Sequence, residues 1–107
     1  MLAEAISHEF GLTAGTQAKI NAVFARYPQI DGVTLYGSRA KGNYKRGSDI
    51  DLVISSHTMT LAQLLRLENE LDDLLLPYKI DISLLDKIDN PDLIDHIQRV
   101  GLEFYRR

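Results

Sequence analysis

A Gly-Ser pair and an Asp-x-Asp triplet stand ten residues apart, as Gly37-Ser38 and Asp49-Ile50-Asp51, and each lies beside a β-prone run. Residues 33–36 are short and β-prone, and they stop at a glycine that can take a positive φ. Residues 49–54 alternate acidic and apolar side chains, which is the period-2 pattern of a strand with two different faces. This stretch therefore predicts two strands joined through a glycine bend and a loop, and it constrains the centre of the fold.

The two aspartates of the triplet are candidate metal ligands. Residues i and i+2 of a strand point the same way, about 6.5–7 Å apart, so Asp49 and Asp51 can converge on cations. Two ions about 3.5–4 Å apart serve in phosphoryl-transfer sites, and oxygen ligands suit Mg²⁺, which completes its shell with water and nucleotide phosphates. A solvated strand face carrying two acids is the ordinary alternative. It does not explain the four cations just upstream, which favour a ligand carrying both phosphates and metal ions: Arg39, Lys41, Lys45 and Arg46.

Gly37 and Ser38 are candidate phosphate-binding residues. The first amides of a helical turn have no partner inside the turn, and a glycine without a Cβ lets phosphate oxygens approach the backbone. The Ser38 hydroxyl would add one more donor. A Gly-Ser pair by itself more often forms an ordinary strand-to-helix turn with a serine cap, so this interpretation depends on the aspartates that follow.

A third carboxylate is needed if one metal is to activate an attacking hydroxyl, and Asp81 is the candidate. It lies in a predicted strand over residues 79–84, between two isoleucines, where an unpaired charge would be costly to bury. Asp86, past the end of that strand, is the second choice. Asp72 and Asp73 fall on the polar face of a leucine-rich helix and are interpreted as solvated.

Hydrophobic periodicity and capping residues predict the remaining secondary structure. Helices are expected over residues 2–10, 20–27, 61–75 and 91–100, and strands over residues 33–36, 49–54, 79–84 and 102–105. Thr60 opens a capping box, and Asn90 caps a helix that begins with a proline. The pattern predicts an α+β fold, a small mixed sheet with helices packed on one face, in a single domain of residues 1–107.

Composition and charge argue against several other functions. No apolar run approaches the roughly 20 residues of a membrane span, and the N-terminal residues do not resemble a secretory signal. The absence of cysteine excludes disulfides and thiolate metal sites and fits a cytoplasmic protein. The net charge of −3 argues against a general nucleic-acid binder. The three histidines lack metal-ligand spacing and are interpreted as structural or solvated: His8, His57 and His96.

The segments Leu35-Tyr-Gly-Ser-Arg-Ala-Lys-Gly42 and Gly47-Ser-Asp-Ile-Asp-Leu-Val53 resemble the signature of the DNA polymerase β-like nucleotidyltransferases. In particular, the chain is similar to the minimal nucleotidyltransferases of bacteria and archaea, called MNT proteins. The resemblance covers nearly the whole chain and implies the polymerase β-like nucleotidyltransferase fold.

The resemblance also implies roles for single residues. Gly37 and Ser38 would hold a nucleotide triphosphate, and Arg39 lies where the family usually has a basic residue near the phosphates. The implied Mg²⁺ ligands, two ions being expected with nucleotide, are Asp49, Asp51 and Asp81. The last of these would also act as a base toward the incoming hydroxyl.

The implied reaction is attack of a hydroxyl on the α-phosphate of ATP, which releases pyrophosphate and leaves AMP on the acceptor. MNT proteins are typically encoded beside a helical HEPN-type protein, and in toxin–antitoxin pairs they adenylylate that partner on tyrosine. Larger relatives that modify antibiotics or nucleic acids hold the acceptor with an additional domain that is not visible in this sequence. We therefore expect a protein acceptor and a hetero-oligomer. The alternative is a non-catalytic nucleotide-binding or antitoxin module that neutralises a helical partner by binding alone.

Overall fold

The computed structural model describes residues 8–107. The strands are β1 His8–Glu9, β2 Leu12–Thr13, β3 Gly32–Tyr36, β4 Ile50–Ser55, β5 Ile80–Leu84 and β6 Leu102–Arg106. The helices are α1 Ala14–Ala25, α2 Gly37–Lys41, α3 Leu61–Asp72 and α4 Pro91–Val100, and a 3-10 turn, Leu85–Lys87, follows β5.

Four of the strands form one mixed sheet in the order β5, β4, β3, β6, and β1 pairs with β2 in a separate hairpin. β3 runs antiparallel to both of its neighbours, whereas β4 and β5 are parallel. A parallel pair needs a long connection, and α3 lies within it. The α+β class and the mixed sheet are as predicted, and the last strand, β6, lies at one edge of the sheet.

Two of the predicted helix starts, at residues 61 and 91, are confirmed by their capping bonds, whereas the helix predicted from residue 20 begins earlier, at Ala14. Thr60 Oγ1 accepts the Gln63 N–H at 3.2 Å, and Gln63 Oε1 accepts the Thr60 N–H at 2.9 Å, which completes a capping box. Asn90 Oδ1 accepts the Asp92 N–H at 2.9 Å, with Pro91 in the first helical position. Within residues 8–107, no helix has both the length and the apolar character to cross a membrane.

The hydrophobic core lies between one face of the sheet and the helices α1 and α3. Its most deeply buried members include Leu12, Ile20, Phe24, Ile30, Val33, Leu35, Ile50, Leu52, Ile54 and Leu67. The helix α4 lies on the opposite face of β3, which differs from the prediction that the helices pack on one face. There the His96 ring meets the Tyr36 ring edge to face at 6.1 Å between centroids. On the same face of the sheet, Asp51 of β4 is half-buried and Asp81 of β5 is exposed.

The predicted first helix is wrong where the structure describes it. Residues 8–13 form the β1–β2 hairpin, and Phe10 and Gly11 make its turn with φ angles of 59° and 76°. The rest of that prediction, residues 2–7, lies outside the described residues. Helical spacing of apolar residues could not reveal the turn, because a positive φ at Phe10 is unusual for a residue with a Cβ.

The predicted long helix is three residues too long, since α3 ends at Asp72. Leu75 has a φ of 56° and is 87% exposed, so it belongs to the turn before Pro77. The leucines of this helix are only partly buried: Leu67 and Leu71 are in the core, whereas Leu61 and Leu65 are exposed. The strand predicted over residues 49–54 begins one residue later than predicted, at Ile50.

Candidate functional site

Two of the predicted acids lie side by side in the sheet. In the parallel pair of β4 and β5, Asp51 is in register with Asp81, so both side chains leave the same face of neighbouring strands. Tyr36 is in register with Asp51 on the other side, so Tyr36, Asp51 and Asp81 make a row of three polar side chains across β3, β4 and β5, here called the acid row. Asp49 immediately precedes β4, two residues before Asp51, and is exposed.

The charges of Asp49 and Asp81 both act on Asp51. The pKa of Asp51 is raised above its ordinary value by burial first, and then by repulsion from Asp81 and Asp49. Lys79 and His96 partly offset this effect. A cation bound among these carboxylates would relieve the repulsion.

The Gly-Ser bend meets the acid row directly. Gly37 begins α2 with a φ of 75°, and a Cβ built on it would lie only 2.3 Å from Asp51 Oδ2. Only a glycine therefore fits this position without displacing the carboxylate. Ser38 is half-buried beside it, and its carbonyl accepts the Gly42 N–H at 3.0 Å, which closes the short turn.

Arg39 is placed differently from the expectation that it contacts phosphates. Its side chain is buried, with 2% of the residue's surface exposed, and its guanidinium donates to the backbone carbonyls of Phe10, Arg46 and Ser48. These bonds turn the guanidinium toward the loop between the two motif halves. Arg39 therefore binds the backbone of the chain and is not the phosphate ligand that was expected. The other three cations of the cluster are exposed: Lys41, Lys45 and Arg46.

Two residues that the sequence analysis did not assign to the site are part of it. Tyr36 lies in the acid row, with a hydrogen bond to Ser83, and its pKa is raised by burial and by Asp51 and Asp81. His96, interpreted from sequence as structural or solvated, accepts the Gly37 N–H through Nε2 at 3.3 Å. Tyr36 could have been assigned to the site from sequence, because it directly precedes Gly37. No feature of the α4 sequence indicated that His96 belongs to the site.

The remaining candidates lie outside the acid row. Asp86 is in the 3-10 turn after β5 and has no register partner on β4. Asp72 and Asp73 are exposed at the end of α3, as predicted, and His57 is exposed. A cavity of about 710 Å³ lies between the start of α3 and β5, and Ser83, two residues after Asp81 on β5, is one of its lining residues.

The donor set fits Mg²⁺ in its chemistry, because Asp49, Asp51 and Asp81 offer oxygen ligands only. Among residues 8–107, no three His, Cys, Asp or Glu side chains already converge closely enough to hold an ion. Mg²⁺ usually keeps several waters and takes other ligands from substrate phosphates. The acids can therefore form part of a site that nucleotide completes.

Solved structures share this fold over most of the chain. A toxin–antitoxin complex crystallised with AMP-PNP superposes with a TM-score of 0.68 at 22% identity, covering 85% of this chain and 73% of that one. The complex of a tri-AMPylated Shewanella oneidensis HEPN toxin with its MNT antitoxin gives 0.60 at 18% identity, covering 86% and 73%. A putative nucleotidyltransferase from Sulfolobus solfataricus gives 0.53 at 20% identity, covering 85% and 77%. At such low sequence identities, the similarity to these structures shows that the fold is shared and shows nothing about activity.

The family is identified by comparing the sequence with models of protein families. No curated protein matches it. The family model described as polymerase beta, nucleotidyltransferase, matches residues 18–107, which include the glycine bend and all three acids. The chain therefore belongs to the polymerase beta nucleotidyltransferase family.

Proposed function

We propose that this chain is a Mg²⁺-dependent nucleotidyltransferase that moves AMP from ATP to a hydroxyl of a HEPN-type helical partner, and so acts as its antitoxin. The observation that carries the proposal is the pairing of Asp51 with Asp81 directly against the Gly37 bend. Support for the partner comes from the fold, which is shared with MNT antitoxins bound to HEPN toxins, one of them AMPylated.

Each residue has a place in the proposed reaction. Gly37, whose own N–H donates to His96, leaves room for phosphate oxygens to approach the bend, and Ser38 binds them through its backbone N–H and its hydroxyl, in the space beside the acid row. Asp49, Asp51 and Asp81 would hold Mg²⁺, which neutralises phosphate charge when it is bound. The incoming hydroxyl lies next to Asp81, whose exposed carboxylate accepts its proton.

The covalent change is a single displacement at phosphorus. The acceptor oxygen forms a bond to the α-phosphorus as the bond from that phosphorus to the bridging oxygen breaks. Pyrophosphate leaves, AMP stays on the acceptor, and the hydroxyl proton has passed to Asp81. The half-buried surroundings of Asp51 and Tyr36 keep part of the site dry, which strengthens electrostatic interactions there.

The test uses purified protein, Mg²⁺, ATP labelled in the α-phosphate and the HEPN-type protein encoded beside it. We expect label on the partner, and Asp49→Asn and Asp51→Asn should each abolish it. Asp72→Asn, an exposed aspartate on α3, is the matched control and should transfer normally. Equal labelling by the Asp49 and Asp51 variants would remove these residues from the mechanism.

A second readout separates catalysis from binding. The growth arrest caused by the partner should be relieved by the wild-type chain and not by Asp51→Asn. If Asp51→Asn relieves it fully while the partner stays unlabelled, the chain neutralises its partner by binding alone. Loss of relief together with loss of label would support the transferase.

A further inference from the structure

We propose that Arg39 is a positioning residue of the candidate site: its buried guanidinium fixes the backbone at Ser48 and thereby sets where Asp49 stands. The inference deepens the proposed function and rests on it for its catalytic consequence. It assigns to Arg39 a contact with the chain, in place of the contact with phosphate that the sequence suggested.

Four hydrogen bonds carry the inference. Arg39 Nε and Nη2 both donate to the Ser48 carbonyl oxygen, at 3.1 and 2.8 Å. Nη2 also donates to the Arg46 carbonyl at 3.2 Å, and Nη1 to the Phe10 carbonyl at 2.9 Å. Every one of these acceptors is a backbone oxygen, so the guanidinium holds the path of the chain and not a single side chain.

Two tyrosine rings enclose the cation. The guanidinium carbon lies 5.3 Å from the centre of the Tyr44 ring and 4.9 Å from that of Tyr78. Both distances are in the range of a cation–π attraction, which grows as the cation is desolvated. Arg39 has 2% of its surface exposed, so the group is withdrawn from water and held in one orientation.

These contacts join the segments that carry the site. Arg39 directly follows Ser38 in the bend, and the Ser48 carbonyl belongs to the peptide group that leads into Asp49. Tyr78 is next to Lys79, whose carbonyl accepts the Ile50 N–H at 2.9 Å where β4 begins beside β5. The Arg39 guanidinium thus contacts the chain near the Gly37-Ser38 bend, just before Asp49, and near the start of β5, the strand that carries Asp81.

Asp49 depends on this support more than the other two acids do. Asp51 and Asp81 lie within strands and are held by the sheet, whereas Asp49 lies before β4, at the end of a loop. Inside the loop, Ser48 and Lys45 bond to each other through the Ser48 N–H and Oγ, at 3.0 and 2.8 Å. Arg39 ties that turn to the body of the protein, and an error of about 1 Å in a reacting group can cost roughly 100-fold in rate.

A lysine cannot replace this arginine, because a single ammonium lacks the planar fork that serves three carbonyls in different directions. Arg39→Lys is therefore the informative variant, since it keeps the positive charge and removes the geometry. Amide hydrogen exchange over residues 45–50 reads the loop directly and needs no nucleotide. We expect faster exchange there, a kcat for AMP transfer lower by about 100-fold, and a higher Mg²⁺ concentration for half-maximal rate.

The chain provides a matched control in Arg107. Its guanidinium also donates to backbone carbonyls, those of Tyr27 at 2.8 Å, Ile30 at 3.1 Å and Ala25 at 3.4 Å, at a place away from the acid row. Arg107→Lys removes the same kind of clamp and should leave both the exchange of residues 45–50 and the kcat unchanged. Kinetics are compared at a temperature where each variant is fully folded by circular dichroism.

Chemical rescue gives a second, independent readout. Arg39→Ala leaves a space between the two tyrosine rings, and millimolar methylguanidinium should restore both the loop protection and part of the kcat. The inference is overturned if Arg39→Lys exchanges like the wild type over residues 45–50, or if Arg107→Lys loses as much kcat. A wild type without any transfer would defeat the proposed function, while the exchange comparison still decides whether Arg39 holds the loop.

Discussion

Asp51 lies against the backbone of Gly37, so closely that a Cβ on the glycine would fall 2.3 Å from Oδ2 and 3.2 Å from the carboxyl carbon. The two residues are fourteen positions apart, and they come together because β3 and β4 are adjacent antiparallel strands. The contact makes the bend and the acid row one surface. A ligand that binds Gly37 must also meet the charge of Asp51.

Gly37→Ala should therefore disable the site as well as strain the chain. The left-handed φ of 75° costs about 1–2 kcal/mol for a residue with a Cβ, and the new methyl group also displaces the Asp51 carboxylate. We expect lower stability in urea unfolding and no measurable binding of Mg²⁺ with AMP-PNP in calorimetry. Gly42→Ala is the control, because Gly42 has a φ of 86° and open space around it. Equal behaviour of the two variants would show that the Gly37–Asp51 contact is unimportant.

The raised pKa of Asp51 makes a prediction about stability and pH. A carboxyl group whose pKa is higher in the folded state binds its proton more tightly there, so ionisation weakens folding. Stability should be full below the ordinary value near 3.8 and should fall as the pH rises through the higher folded pKa. Asp51→Asn removes this loss, so without nucleotide it should melt above the wild type at pH 7. At pH 3 the two should differ little.

Asp72→Asn is the control for this comparison, since Asp72 is exposed on α3 and away from the acid row. It should follow the wild-type melting temperature at both pH values. If Asp51→Asn melts below the wild type at pH 7, the carboxylate is stabilised by its surroundings and the repulsion argument is wrong.

Nucleotide should reverse the order of stability. A ligand that binds only the folded protein stabilises it by about 2.7 kcal/mol at a hundredfold excess over its dissociation constant. With Mg²⁺ and AMP-PNP the wild type should therefore melt higher, whereas Asp51→Asn should hardly shift, because it lacks one of the charges that hold the metal. Mg²⁺ without nucleotide is the control. An equal shift for both proteins would place the nucleotide away from Asp51.

The sequence predicted the bend and the strands well because short-range patterns determine them. Alternation between polar and apolar residues identified β4 and β5. The argument for choosing Asp81, the cost of burying its charge between two isoleucines, does not hold, because Asp81 is exposed while Ile82 is buried. The parallel register of Asp51 with Asp81 is a long-range pairing that no local pattern specifies. The resemblance to nucleotidyltransferases supplied that step.

The contacts of Arg39 and His96 could not be predicted from sequence, for a different reason. Arg39 stands in a run of cations, and sequence could not show that this one is buried under two tyrosine rings while its neighbours are exposed. His96 reaches the Gly37 amide only because α4 packs against β3. Both depend on tertiary contacts, which override what charge and spacing indicate locally.

A last prediction concerns a buried tyrosine far from the acids. The Tyr27 hydroxyl donates to Glu70 Oε1, and burial, this bond and the charge of Glu70 raise the pKa of Tyr27 to about 12. Because this is above the ordinary value of 10.0, the stability from the bond is full below pH 10 and lost as the pH rises through 12. Tyr27→Phe should cost about 1.5–3 kcal/mol at pH 7, as expected for a hydrogen bond to a charged group. Urea unfolding at pH 7, 9.5 and 11.5 should show this difference shrinking at the highest pH, with Tyr105→Phe as the control. A difference that stays constant across that range would mean that the Tyr27 proton does not depend on the folded environment.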